Sequence, residues 1–195
     1  MSCFSKLSQV TLIGLALVFI TGCARPVEFK QPDTYQHSSE IPLRAAFYMD
    51  DNLKNMIVSS RAASSGIANR WDIQAGDAVH KYATSYLPNA FTGFREISVP
   101  GQGDYDVLIK VTDIGFNMGG QAAHSDVSFV VESPGGAKLF SNKYHADGPS
   151  GYGRVFMGGA FAQKSAIRQS THVVMETIFK NLVDDINSNY NSWGL

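Results

Sequence analysis

The sequence predicts an α+β domain, a mainly antiparallel sheet of about five strands with two helices packed on one face. Three observations carry this. Residues 106–116, 122–132 and 137–146 are three consecutive strand-like stretches joined by short turns. Two other stretches repeat apolar residues at helical spacing: Ala75, Val79, Tyr82 and Tyr86, then Ile167, Val174, Ile178, Leu182 and Ile186. The chain has 195 residues, 44% hydrophobic and 17% charged, which suits one buried core and argues against wholesale disorder.

The elements follow in order. Residues 43–49 are apolar enough for a buried strand, and Asp50-Asp51-Asn52 reads as the turn that ends it. Residues 55–60 give a second strand, and the small polar stretch 61–70 a loop. Asp72 is placed as the N-cap of the first helix, which ends before Pro88. Phe91, Phe94 and Ile97 lead into a short strand. Ser133-Pro134-Gly135-Gly136 has the Pro and Gly positions of a type II turn. Pairing Glu132 with Ala137 across it sets Val127 opposite Asn142, Phe129 opposite Phe140 and Ser125 opposite Tyr144. Asp126 then meets Lys143, and His124 meets His145, on the polar face. Residues 148–159 hold five glycines and read as a loop. A long helix follows over 160–187, its stripe widened by Met175, Phe179 and Val183.

The amino-terminal 22 residues read as an address. Lys6 precedes an apolar run over 10–20, which has the size of a signal-peptide core and is too short to span a membrane as a mature helix. Ile20-Thr21-Gly22-Cys23 follows: an aliphatic residue, two small ones and a cysteine. These four residues resemble the lipobox of bacterial lipoproteins. The resemblance implies cleavage before Cys23 and acylation of that cysteine, with palmitate among the expected chains. Long acyl chains hold a protein at a membrane at about 0.8 kcal/mol per buried methylene. In the sorting pattern of these lipoproteins an aspartate after the cysteine favours the inner membrane. Here the residue is Ala24, so the resemblance implies an outer-membrane anchor with the body facing the periplasm.

Residues 23–42, with three prolines and no sustained period, read as a lipidated tether that reaches on the order of 60 Å when fully extended. The competing reading packs part of this stretch as an amino-terminal strand. Residues 43–190 form the single body. Lipobox, tether and element order together are similar to the uncharacterised YajG-like lipoproteins and to the auxiliary lipoproteins of ABC-type envelope transport systems.

Charge and cysteines exclude whole classes. With 16 basic and 17 acidic residues there is no excess to drive nucleic-acid binding. Loss of residues 1–22 removes Cys3, and acylation blocks Cys23, so no thiol remains for a disulfide, a thiolate metal site or a cysteine nucleophile. There is no G-x-S-x-G, no serine followed three residues later by lysine, no H-E-x-x-H and no Walker A loop. The His124, His145 and Asp126 grouping holds the right donors for zinc but reads first as an exposed cross-strand set. The acidic pairs Asp50-Asp51, Asp104/Asp106 and Asp184-Asp185 read as turn and cap residues.

The expectation is therefore a non-enzymatic accessory or binding lipoprotein of the cell envelope, with no cofactor and no metal. It is held to the membrane by its acyl anchor and engages an envelope protein partner. The alternatives are a self-associating structural subunit, a lipid-binding protein or a cell-wall enzyme with an unlisted triad. The partner-binding stretch is placed at Tyr152, Arg154, Phe156, Met157 and Phe161, where aromatic area lies among glycines.

Overall fold

The computed structural model describes residues 24–61, 70–150 and 155–195, with residues 155–161 described in backbone only. Its elements in chain order are β1 (Ala24–Val27), β2 (Ile41–Met49), α1 (Asp51–Lys54), β3 (Val58–Ser60), β4 (Arg70–Ile73), α2 (Ala75–Tyr86), β5 (Phe91–Glu96), β6 (Val107–Gly119), β7 (Ala122–Glu132), β8 (Lys138–Asp147) and α3 (Val155–Asn189). A 3-10 turn over Tyr190–Ser192 closes the chain. The α+β class stands. The strands form a five-stranded sheet, β5-β2-β6-β7-β8, and a three-stranded sheet, β1-β4-β3.

The main sheet is mixed rather than mainly antiparallel. β2 runs parallel to both of its neighbours, β5 and β6, while β6-β7 and β7-β8 are antiparallel. The reason is topological. The chain leaves β2, builds the small sheet and α2, and returns as β5. A helix-containing crossover of this length returns the chain parallel. Residues 97–106 then pass over β2 to reach β6. On that face Ile97 and Tyr105 pack with Ala46 and Leu108 in a small cluster of their own. Arg44 fixes the crossing: its side chain engages Asp104 and lies 2.6 Å from Asp106, while the Arg44 amide donates to Asp106 Oδ2 at 2.8 Å. The Asp104/Asp106 pair is thus a clamp on Arg44.

The main core joins the opposite sheet face to both long helices. Phe47, Ile109, Phe129, Val79, Ile178, Phe179 and Leu182 are all in it and essentially inaccessible. Every residue of the two predicted helical stripes is buried. In β6 the positions buried on the core face are Val107, Ile109 and Val111, then Ile114 and Phe116, while Leu108 is buried on the opposite face. The change from odd to even numbers comes from a bulge between Val111 and Asp113, where one extra residue returns the later half of the strand to the core face.

The β7-β8 hairpin forms as predicted in its strands and faces, but the register differs. Val127 lies opposite Tyr144, Phe129 opposite Asn142, Asp126 opposite His145 and His124 opposite Asp147. Two one-residue offsets produce this. First, Ser133 pairs directly with Ala137 (Ser133 N to Ala137 O 2.8 Å), and the positive φ of +81° falls on Gly136, not Gly135. That pattern is a three-residue loop closed by a left-handed glycine. Second, the ladder shifts again between Glu132–Lys138 and Val131–Phe140. Two single steps sum to an even shift, so from the Val131–Phe140 pair onward every side chain keeps its predicted face.

Four other expectations are corrected. Residues 24–42 do not hang free. β1 pairs with β4, Val27 and Phe29 are buried, and Tyr35 stacks on Tyr86 at 4.8 Å between ring centroids. Pro26 is compatible with this strand because β1 lies at the edge of its sheet. Asp72 is a strand residue paired with Ser59, and the helix cap position falls to Gln74, which makes no side-chain cap bond. Asp50-Asp51-Asn52 opens the short helix α1, with Asp50 as the cap accepting from the Asn52 amide at 2.8 Å. Residues 155–159, expected in the glycine loop, belong to α3. The loop reading of 62–69 lies outside the described residues.

Candidate functional site

Two regions concentrate chemistry: a cleft beneath the amino-terminal segment and a polar cluster at the end of the β7-β8 ladder. The cleft arises because residues 28–37 run across the groove between α2 and α3. Arg168 Nε donates to the Glu28 carbonyl at 2.7 Å, and Lys81 Nζ donates to the Phe29 carbonyl at 2.7 Å. Gln31 Nε2 donates to Ser85 Oγ at 2.6 Å, and His37 Nε2 lies 2.9 Å from the Tyr86 carbonyl. Lys180 Nζ sits 4.8 Å from the centre of the Tyr35 ring, a cation–π contact that holds the segment from the α3 side.

Between these straps a cleft of about 440 Å³ opens, lined among others by Phe29, Lys30, Asp33, Tyr82, Arg168 and His172. At its wall the Tyr82 hydroxyl is hydrogen bonded to His172 Nδ1. Burial pushes the Tyr82 phenol well above its ordinary range, with the neighbouring Tyr86 and Glu176 adding to the shift. The phenol therefore keeps its proton at neutral pH. Further along α3, the hydrogen bond from Lys180 to Glu176 (2.8 Å) holds the Glu176 carboxyl below its usual value, against the opposing effect of burial. The arrangement is a hydrogen-bonded phenol–imidazole pair beside an ion pair, with Arg168 and Lys30 at the rim. The basic Lys30 and Arg168, the acidic Asp33 and the rings of Phe29 and Tyr82 line the cleft.

The second region sits on the polar sheet face. The shifted register brings Asp147 between two imidazoles: His124 Nδ1 at 2.5 Å and His145 Nε2 at 3.2 Å. His145 Nδ1 also lies 3.2 Å from Asp126, and Lys143 Nζ 3.8 Å from the same oxygen. Among the described residues no group of three or more His, Cys, Asp or Glu is arranged to hold a metal ion. Here each imidazole is engaged by a carboxylate.

The His145 pKa is raised, first by its hydrogen bond to Asp147. The sign is that of an imidazolium favoured by folding. Its contribution is present below the unfolded pKa and lost as pH rises through the raised one. With side chains 57% and 58% exposed, the stability at stake is small. The titration itself is the sharper readout. In an NMR titration His145 should have a midpoint above the ordinary value of about 6.5, and Asp147→Asn should bring it down. An unchanged midpoint in that variant would remove Asp147 as the cause.

A third, open cleft of about 320 Å³ lies beside Lys54, Met56, Gln74 and His80. Glu96 meets both Lys54 and His80 there, the latter at 2.9 Å. Burial alone would raise the Glu96 pKa, but the hydrogen bonds from Lys54 and His80 outweigh it and hold the carboxyl low.

Of the residues predicted from sequence as functional, Cys23, Tyr152 and Arg154 lie outside the described residues. Phe156, Met157 and Phe161 lie on the first turns of α3 rather than in a loop, with only their backbone described. Of the cleft residues, Tyr82 is legible in the sequence only as a member of the first helix's apolar stripe, and His172 is not among the residues predicted as functional. Their meeting depends on the α2–α3 contact, which no local pattern specifies.

No family model matches the chain, and no curated protein matches it. Among solved structures it is similar to a Xanthomonas campestris protein of the DUF330 family, with 12% identity, 87% of this chain and 98% of that one covered, and a TM-score of 0.49. It is also similar to a minor lipoprotein from Acinetobacter baumannii, with 11% identity, 78% and 96% covered, and a TM-score of 0.44. A hypothetical protein from Chlamydia trachomatis gives 8% identity, 76% and 98% covered, and a TM-score of 0.41.

Proposed function

We propose that the chain is a lipid-anchored lipoprotein of the bacterial outer membrane. Its body faces the periplasm and serves as a non-enzymatic accessory or binding protein of an envelope assembly. One observation carries the reading: the apolar run over 10–20 leads directly into Ile20-Thr21-Gly22-Cys23, with Ala24 and not aspartate next. Small residues before the cysteine admit a peptidase, and the thiol accepts the lipid. Among the described residues no helix is long and apolar enough to cross a membrane, so the acyl chains supply the attachment. The partner-binding stretch stays with Tyr152, Arg154, Phe156, Met157 and Phe161.

Fractionation and crosslinking test this reading. A Cys23→Ser chain should move from the membrane pellet to the soluble fraction. Persistence in the pellet after a high-salt wash, which strips electrostatic contacts, would refute the anchor. Photocrosslinking groups at 152, 156 and 161 should capture one dominant envelope protein. Capture of only further copies of the chain would transfer the role to a self-associating subunit.

A further inference from the structure

We propose that the body rests directly on an anionic phospholipid surface, with the amino-terminal end of the small sheet turned to the headgroups and held there by Arg25, Arg61 and Arg70. This rests on the acylation of Cys23 proposed above and adds how the body is oriented once anchored.

The first observation is the missing slack. β1 begins at Ala24, the residue immediately after Cys23, and Ala24 is paired with Arg70 of β4. Consecutive Cα atoms are about 3.8 Å apart, so a lipid on Cys23 is attached within one residue of a hydrogen-bonded strand. Nothing after it is left over as a spacer, because residues 24–42 are committed to the body through β1, Phe29, Gln31 and Tyr35. The acyl chains therefore pull one end of the folded body to the bilayer.

The second observation is the charge at that end. β1 and β4 start there side by side, and β3, antiparallel to β4, finishes there with Ser60 opposite Trp71. Arg25, Arg61 and Arg70 occupy the three strand ends, and all three are exposed. Strands are spaced about 4.8 Å apart, so the three arginines share one end of the small sheet, with Arg25, in register with Trp71, on the opposite face from Arg70. The eight residues between Arg61 and Arg70 add no acidic side chain. The nearest carboxylate on these strands, Asp72, is already hydrogen bonded to Ser59. The chain as a whole is slightly acidic, with net charge −1, so this local excess of arginine is set against the overall balance. A phosphate-bearing surface is the chemistry that fits it.

The two tryptophans report the orientation. Trp71 follows Arg70 at the proposed contact end. Trp193 lies past the far end of α3, which runs on from Arg168, beside Glu28, to Asn189, roughly 30 Å at 1.5 Å per residue. Chain 23–195 has Cys23 as its single thiol and can be coupled to maleimide-bearing lipid in phosphatidylglycerol–phosphatidylcholine vesicles carrying a dansyl headgroup acceptor. Chemical coupling separates this test from whether the cell acylates Cys23, which palmitate labelling decides independently. Trp193→Phe, leaving Trp71 alone, should retain the energy transfer of the parent chain. Equal low transfer from both tryptophans would show a body held off the surface, and stronger transfer from Trp193 would show the opposite end down. Either would overturn the proposal.

The arginines are tested without any anchor. The Cys23→Ser chain should bind phosphatidylglycerol vesicles roughly a hundredfold more tightly than its Arg25→Gln, Arg61→Gln, Arg70→Gln derivative, at about fivefold per residue. Circular dichroism confirms that the derivative is folded. Equal binding by the two would remove the arginines from the contact.

Discussion

Phe179→Ala should cost about 3–5 kcal/mol, the range for truncating a fully buried phenylalanine, and should lower the melting temperature by on the order of 10 °C or more. Phe179 is fully buried on α3. Its ring meets Phe129 of β7 edge to face at 5.6 Å and Tyr86 of α2 at 6.3 Å. It is a side chain at which the sheet and both long helices meet. Truncation removes contacts to three elements at once, and none can close the gap without moving a backbone. Set against a typical domain stability of about 5–15 kcal/mol, the loss is a large share of the whole. Thermal or urea unfolding checks it. A shift below about 1 kcal/mol, the ordinary size for a single substitution, would mean that α3 does not pack as described.

Gly76→Ala should destabilise, against the normal preference of helices for alanine over glycine by about 1 kcal/mol. Gly76 lies in the first turn of α2, where that helix abuts the end of α1. A Cβ there would lie 1.9 Å from the Leu53 carbonyl oxygen and 2.5 Å from that of Lys54. Both obstacles are backbone atoms, so neither can swing aside as a side chain would. The Gly76 amide also donates to the Met56 carbonyl at 3.1 Å, tying the same joint. Overpacking of this kind costs about 1–3 kcal/mol, which outweighs the gain in propensity. Gly136→Ala is the useful contrast. Its Cβ would meet nothing within 4 Å, and only the positive φ is strained. Urea unfolding should place the Gly76 variant below the Gly136 variant, and the reverse order would contradict the described α1–α2 contact.

Legibility of the fold tracked the length of each signal. α3 carries a stripe repeated over five turns, and β7 alternates over ten residues, 123–132. Patterns that long could not be mistaken. β4 offers only Trp71 and Ile73 as inward residues, and β1 only Val27 before the chain goes on to Phe29. Alternations this short, beside Pro26 in β1 and after a small polar stretch in β4, look the same as a polar linker. The small sheet also depends on pairing between segments more than 40 positions apart, Ala24 with Arg70 among them. Non-local pairing of this kind leaves no local trace. The hairpin shows a subtler limit. Face parity follows from side-chain alternation, and the sequence carries it. The cross-strand partners depend on a glycine conformation and a bulge, each worth one residue.

The proposed anchor rests on Ile20-Thr21-Gly22-Cys23, a pattern read without a fold, whereas the geometry of the two polar regions was not legible. The Asp147 bridge between His124 and His145 needed the true register, because the predicted one put the two imidazoles face to face. The cleft beneath residues 28–37 needed the amino-terminal segment to be folded onto α2 and α3, which the tether reading excluded.

The central claim is the acylated Cys23, and mass spectrometry of the amino terminus tests it most directly. Protein extracted from the envelope would be digested with trypsin, which spares the Arg25–Pro26 bond and leaves residues 23–30 as the first peptide. The account predicts that this peptide begins at Cys23 and carries a diacylglycerol thioether and an amide-linked fatty acid. A peptide that begins upstream of Cys23, or one that begins there with an unmodified thiol, would contradict it.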